Sequence, residues 1–190
     1  MKKVLIVFAS LMLAFSTKIF ATGLGPQVNL NYGWTPGHPE YGYVNGGLAL
    51  SAKFDGVPVY WAFSANFSQT GLVYIDNNFV AHHPWRINLG ATADYWFFNK
   101  EIIGLWHWYW GVGGALDIGF TTYKTTAYIG LGPRVLIGMN WFFMDGFMEL
   151  YAQQVGQPMI QFAIGPDGKD HGVFRVPIYF PAEVGLRFYF

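Results

Sequence analysis

Phe174-Arg175-Val176-Pro177-Ile178-Tyr179-Phe180-Pro181-Ala182-Glu183-Val184-Gly185-Leu186-Arg187-Phe188-Tyr189-Phe190 is the stretch that decides the fold. Its even positions are Phe174, Val176, Ile178, Phe180, Ala182, Val184, Leu186, Phe188 and Phe190, all apolar. Its odd positions are Arg175, Pro177, Tyr179, Pro181, Glu183, Gly185, Arg187 and Tyr189. A strand points successive side chains to opposite faces, so this segment has one greasy face and one polar or small face. The segment is long for a soluble strand. It suits a tilted strand crossing a membrane, which needs about 9 to 11 residues in the hydrocarbon.

The composition agrees. Charged residues are 12% of the chain and aromatics 20%, whereas a soluble surface carries roughly a quarter to a third charged residues. The start, Met1-Lys2-Lys3 followed by the apolar run Val4–Phe15, reads as a signal peptide cut after Ala21. The expected organisation is therefore residues 1–21 as signal peptide and 22–190 as one barrel domain. Removing Lys2, Lys3 and Lys18 leaves eight basic against eleven acidic side chains. That balance argues against nucleic acid as a partner, which needs a basic patch. The absence of Cys excludes a lipid-anchored lipoprotein and a disulfide scaffold.

Seven further segments alternate with the same period. Leu24 to Trp34, Val44 to Phe54, Val59 to Ser68, Arg86 to Phe97, Trp106 to Ile118, Tyr128 to Trp141 and the weaker Met148 to Gln153 each set large apolar residues against small or polar ones. Tight turns are expected at Asp55-Gly56, around Asn99-Lys100 and at Asp145-Gly146. Longer connections are expected at Thr35–Gly42, Gln69–Pro84, Gly119–Thr126 and Gln157–Gly172. Short turns on one side and long loops on the other, with an even strand count, predict an all-β fold. The specific form is an eight-stranded antiparallel transmembrane up-and-down barrel.

Two other architectures fail. Helical spans over Ile102–Leu116 or Ala127–Met148 would hold His107, Pro133, Arg134 and Asn140, with period two instead of 3.6. A soluble lipocalin-like barrel would need the bulky aromatic face inside, where eight strands leave little room.

With the small face inward, the lumen receives the cations Lys53, Arg86, Arg134, Arg175 and Arg187 and the anions Asp94, Asp117, Glu149 and Glu183. Enclosed charges must be paired and hydrogen-bonded, so this set is expected to form an ionic plug. Lys53, Asp94, Glu149 and Arg187 are expected toward the periplasm. Arg86, Asp117, Arg134 and Glu183 are expected nearer the middle or outer half. Outside, Trp106, Trp108, Trp110, Trp141, Phe188 and Phe190 are expected at one membrane boundary, and Trp34 and Trp85 at the other.

No residues commend themselves as a catalytic, cofactor or metal site. His107 is the one strand histidine and has no Ser at i ± 2, so nucleophile and base are not in reach. His38, His82, His83 and His171 fall in expected loops without metal-ligand spacing. Leu72 to Val80 reads as a hairpin tip projecting from the membrane, around Asn77-Asn78.

On its leader, its dyad strands and its ending Val184-Gly185-Leu186-Arg187-Phe188-Tyr189-Phe190, the chain resembles the small outer-membrane barrels of the OmpX, OmpA-transmembrane and OmpW type. The resemblance implies residence in the bacterial outer membrane, contact with its lipids and lipopolysaccharide-like lipids, and recognition by the barrel-assembly machinery through the C-terminal strand. It also implies non-enzymatic roles: envelope structure, and loops presented to an extracellular ligand for interaction or adhesion. A narrow OmpW-like channel for small or hydrophobic solutes is the alternative, and a lipid A-modifying enzyme a further one.

Overall fold

The computed structural model describes residues 21–36, 38–54, 57–69, 73–75, 78–80, 85–121, 127–164 and 173–190. The expected signal peptide, the Asp55-Gly56 turn and the loop histidines 82, 83 and 171 lie outside them. The strands are β1 (Ala21–Thr35), β2 (His38–Phe54), β3 (Val59–Gln69), β4 (Val73–Ile75), β5 (Asn78–Val80) and β6 (Trp85–Ile103). They continue as β7 (Trp106–Thr121), β8 (Ala127–Phe143), β9 (Met148–Pro158), β10 (Ile160–Ile164), β11 (Val173–Arg175) and β12 (Ile178–Tyr189).

Every pairing is antiparallel, and the ladder closes on itself. The order runs β1, β2, β3, β6, β7, β8, β9, β12, and β12 returns to β1 through pairs such as Gln27 with Gly185 and Trp34 with Ile178. β10 extends the line of β9, and β11 that of β12. The register is continuous across both interruptions, since Ile178 faces Pro158 and Arg175 faces Gln161. Eight staves result. The interruption has a local cause. Pro158 and Pro177 carry no N–H for a ladder, and the Met159 N–H donates to the Pro177 carbonyl at 2.9 Å. β4 and β5 form a separate two-stranded ladder, the pairing that a hairpin over Leu72 to Val80 requires.

The strands run further than the sequence suggests. The expected turn at Asn99-Lys100 is instead strand, with Asn99 facing Tyr109 and Lys100 facing Trp108. The chain reverses at Gly104-Leu105, where Gly104 takes φ +56°, a left-handed value that glycine adopts freely. Aromatic pairing drives the extension, since Phe97 stacks on Trp110 at 4.7 Å between centroids and Phe98 on Trp108 at 6.0 Å. Three expected loops also shrink. Thr35 pairs with His38 across a turn at Pro36, Gly119 to Thr121 belong to β7, and Gln157 to Ile164 are mostly strand. The turn at Asp145-Gly146 is present, with Met144, Asp145 and Gly146 at φ 51°, 55° and 90°.

The two faces separate as the alternation demands. On β8, burial alternates from Tyr128 to Asn140, with Ile129, Leu131, Val135 and Ile137 exposed and Arg134, Leu136 and Asn140 buried. The ladder thus meets the bulk of the backbone groups between the rims while the exterior is apolar, the arrangement hydrocarbon demands.

The glycines of the inner face have a specific use. Gly23, Gly33, Gly119, Gly138 and Gly185 stand directly opposite Tyr189, Tyr179, Tyr128, Tyr109 and Tyr151 on the neighbouring strand. In each pair a Cβ on the glycine would crowd the tyrosine ring. The absent side chain is the space in which the ring lies flat against the wall. Gly185→Val is therefore expected to destabilise the barrel by about 1–3 kcal/mol through overpacking against Tyr151. Urea unfolding in lipid vesicles measures this, and an unchanged midpoint would contradict the packing role.

Candidate functional site

The lumen is built from residues that alternation brings inward at neighbouring strand positions. Asp94 on β6 faces Gly113 on β7, and Gly113 faces Arg134 on β8. The intervening glycine leaves the two charges free to meet. Arg134 Nε donates to Asp94 Oδ1 at 2.9 Å and its Nη2 to Asp94 Oδ2 at 3.0 Å, a two-pronged pair. The same guanidinium reaches Glu183 Oε1 at 2.9 Å and Gln157 Oε1 at 2.8 Å. Asp94 thus belongs to the middle of the barrel and not to the end that bears the Gly104 and Asp145 turns, where counting from strand ends puts it. The counting error arises because β6 extends further than expected and shifts the reference point.

A second cluster lies below. Arg187 Nη1 donates to Glu149 Oε2 at 3.0 Å and its Nε to Ser51 Oγ at 2.7 Å. Glu149 also accepts from Asn140 Nδ2 at 2.6 Å and from the Tyr189 hydroxyl at 2.5 Å. The two clusters communicate through Gln153, whose Nε2 donates to Glu183 at 2.5 Å while its Oε1 accepts from the Tyr109 hydroxyl at 3.0 Å. Arg134, Arg187 and Glu149 are almost wholly buried, at 2%, 2% and 0% exposure. At that burial an unpaired charge is not tolerated, and these carry charge-assisted bonds.

The other expected lumen charges are placed as follows. Arg86 lies over the Tyr128 ring at 3.8 Å, and Tyr128 donates to Asn88. Asp117 lies within electrostatic reach of Arg86 and Arg134. Lys53 sits over the Tyr60 ring at 5.2 Å. The side chain of Arg175 lies outside the described residues. Cations and anions among the described lumen side chains number four each: Lys53, Arg86, Arg134 and Arg187 against Asp94, Asp117, Glu149 and Glu183.

Reading the lumen as purely ionic misses its aromatic layer. Trp96 stacks between Tyr60 at 3.8 Å and Tyr109 at 3.5 Å, with Tyr151 edge-on at 6.2 Å. Arg187 lies over Tyr151 at 3.8 Å and over Tyr60 at 4.6 Å. A guanidinium stacks on such faces with favourable cation–π energy. The signal was available, because Trp96 shares parity with Asp94. The layer leaves a cavity of only about 10 Å³ beneath the Arg134 cluster, and one of about 40 Å³ above it, lined by Asn29, Asn45, Asn66 and Asn88. Cavities of that size hold at most a few waters.

The aromatic rims are present outside. Trp106 meets Trp141 edge-on at 4.0 Å, and Phe147 packs near Phe188 and Phe190 at 6.0 and 6.3 Å. At the other end Trp34 stacks on Phe180 at 5.2 Å, and Trp85 is exposed. The first rim also holds Ala21, Phe190 and the turns at Gly104 and Asp145.

No family model and no curated protein matches the sequence. Among solved structures, Neisserial surface protein A (NspA) is similar, with a TM-score of 0.52 and 10% identity, over 88% of this chain and 96% of that one. The N-terminal β-barrel domain of Pseudomonas aeruginosa OprF gives 0.40 and 15%, over 90% and 98%. The Escherichia coli outer membrane protease OmpT gives 0.37 and 5%, over 92% and 99%. The closed ladder, the apolar exterior and the fold shared with NspA define the class: an eight-stranded antiparallel β-barrel of the outer-membrane type.

Replacing Arg134 with Met leaves Asp94 and Glu183 buried without their cation. Loss of one partner from such a cluster costs about 3–5 kcal/mol. Arg134→Met is expected to lower the urea midpoint accordingly. Arg134→Lys is expected to recover little of the loss, since an ammonium lacks the fork that grips both oxygens of Asp94. A midpoint unchanged in Arg134→Met would show that the cluster does not hold the barrel.

Proposed function

We propose that the protein is a non-enzymatic integral component of the outer membrane, which supports the envelope and presents its long connections for interaction outside the cell. On this reading residues 1–21 are a leader removed on export and 22–190 the mature barrel. The rim bearing Gly104, Asp145 and Phe190 faces the periplasm. Lipopolysaccharide-like lipids surround the other rim, and the C-terminal strand engages the assembly machinery. The observation that carries the reading is the doubly sealed lumen, in which Arg134 holds Asp94 and Glu183 and Arg187 holds Glu149. A structural plug uses its polar groups on one another. NspA, with which the fold is shared, is by its name a surface protein.

The inner hydroxyls support the same reading. Ser51 accepts from Arg187 and Ser64 from Asn66, while His107 contacts the Leu105 carbonyl and the Phe142 ring. None of these arrangements joins a nucleophile to a base. A second reading, a narrow conduit, draws on the Asn-lined hollow above Arg134. Its polarity suits small polar solutes and not the hydrophobic ones of the OmpW type.

Planar-bilayer recording on refolded protein separates the two. The plug reading expects silence from the native chain at moderate voltage, and steady conductance would defeat it.

A further inference from the structure

Gln154 breaks the apolar pattern of the outer wall. Among the described outward-facing positions between the aromatic rims, every other residue is apolar: aliphatic, aromatic, Met, Gly or Pro. Gln154 stands on β9 between Ile137 of β8 and Ala182 of β12. Its Nε2 donates to the Pro181 carbonyl at 3.0 Å. A primary amide has a second N–H and a carbonyl oxygen to satisfy, and neither finds a partner among the described residues. Hydrocarbon supplies no water to meet them, so the group is costly where it stands. Polar side chains inside a membrane mark contact surfaces and functional positions for that reason.

The amide borders a hollow in the outer wall of about 570 Å³. The large side chains Trp108, Met139 and Trp141, on β7 and β8, line it beside the small Ala152 and Ala182, on β9 and β12. Ridge and hollow are therefore side by side on adjoining strands. A two-fold axis along the membrane normal, set between them, seats the ridge of each copy in the hollow of the other at the same depth. An isologous contact of this kind needs only one self-complementary patch. The same axis brings two Gln154 amides together, and an amide is its own complement, N–H to carbonyl in both directions. An acyl chain offers the amide neither donor nor acceptor.

We propose that this wall is a homodimer interface, in which two barrels dock through β8, β9 and β12 around paired Gln154 amides. The inference rests on the lipid-facing fold and not on the proposed role of the lumen.

The chain has no Cys, so single-cysteine variants report contacts directly. Under oxidation in the membrane, Gln154→Cys is expected to give a disulfide-linked dimer. Phe63→Cys on the opposite wall is expected to stay monomeric. In vesicles, energy transfer between labelled copies measures the dimer. Gln154→Leu is expected to raise its dissociation constant roughly threefold to thirtyfold, the range of intramembrane polar contacts. Ala152→Phe, which fills the hollow, is expected to abolish association. Heat-dependent gel mobility in each variant confirms a closed barrel and separates a lost interface from a lost fold. A native chain monomeric at every protein-to-lipid ratio overturns the proposal. So does association that both substitutions leave intact, or crosslinking through Phe63→Cys as efficient as through Gln154→Cys.

Discussion

The pairing of β1 with β12 is the contact on which everything else depends. A sheet with free edges exposes unmet N–H and C=O groups, and hydrocarbon cannot meet them. Ten register pairs, from Gly23 with Tyr189 to Trp34 with Ile178, remove both edges at once. Closure then dictates the side-chain plan. Odd and even positions separate into inside and outside, and a barrel of eight strands has an interior just wide enough for side chains. The chain meets this limit by placing its bulk outside and its small or polar residues within.

Filling the narrow interior sets a second problem, which two devices solve together. Tyrosine rings lie over glycines of the adjoining strand, as Tyr109 over Gly138 and Tyr151 over Gly185. Those flattened rings make floors and walls for guanidinium groups, most clearly where Arg187 rests on Tyr151. The carboxylates Asp94, Glu183 and Glu149 then neutralise the arginines and leave room for only a few waters. Removing either device exposes the other. A bulkier Gly185 displaces the ring that supports Arg187, and a missing arginine leaves buried anions unmatched. Rigidity and closure of the passage thus come from the same atoms.

The fold was legible because period two is a strong signal when sustained, and the Phe174–Phe190 segment sustains it through two prolines. Which residues face inward followed from parity alone, so Arg134, Asp94 and Glu183 were legible as lumen charges. Their heights were not. Placing Asp94 depends on where β6 ends, and its end is set by the stacking of Phe97 and Phe98 on β7 tryptophans, a tertiary effect. The bulge between Trp96 and Phe98 also lies beyond a simple alternation count. Loop lengths were overestimated for a similar reason. Stretches such as 119–121 and 157–161, which begin at a Gly or contain a Pro, look like loop, yet they are mostly paired because a neighbouring strand is already there. Gln154 was invisible for a different reason: its segment gave the weakest alternation, so its outward placement needed the register with Ile137 and Ala182.

The central claim is the inversion itself, with apolar groups outside in lipid and charges sealed within. Single cysteines at Leu89, Leu131 and Val184, each exposed on the outer wall, and at inward Asn88 can carry an environment-sensitive fluorophore in vesicles of bromine-labelled lipid. The account predicts strong quenching by the acyl-chain bromines at the first three positions and little at the fourth. Equal quenching at all four positions, or water-like emission from Leu89, Leu131 and Val184 on a chain that stays monomeric without detergent, would contradict it.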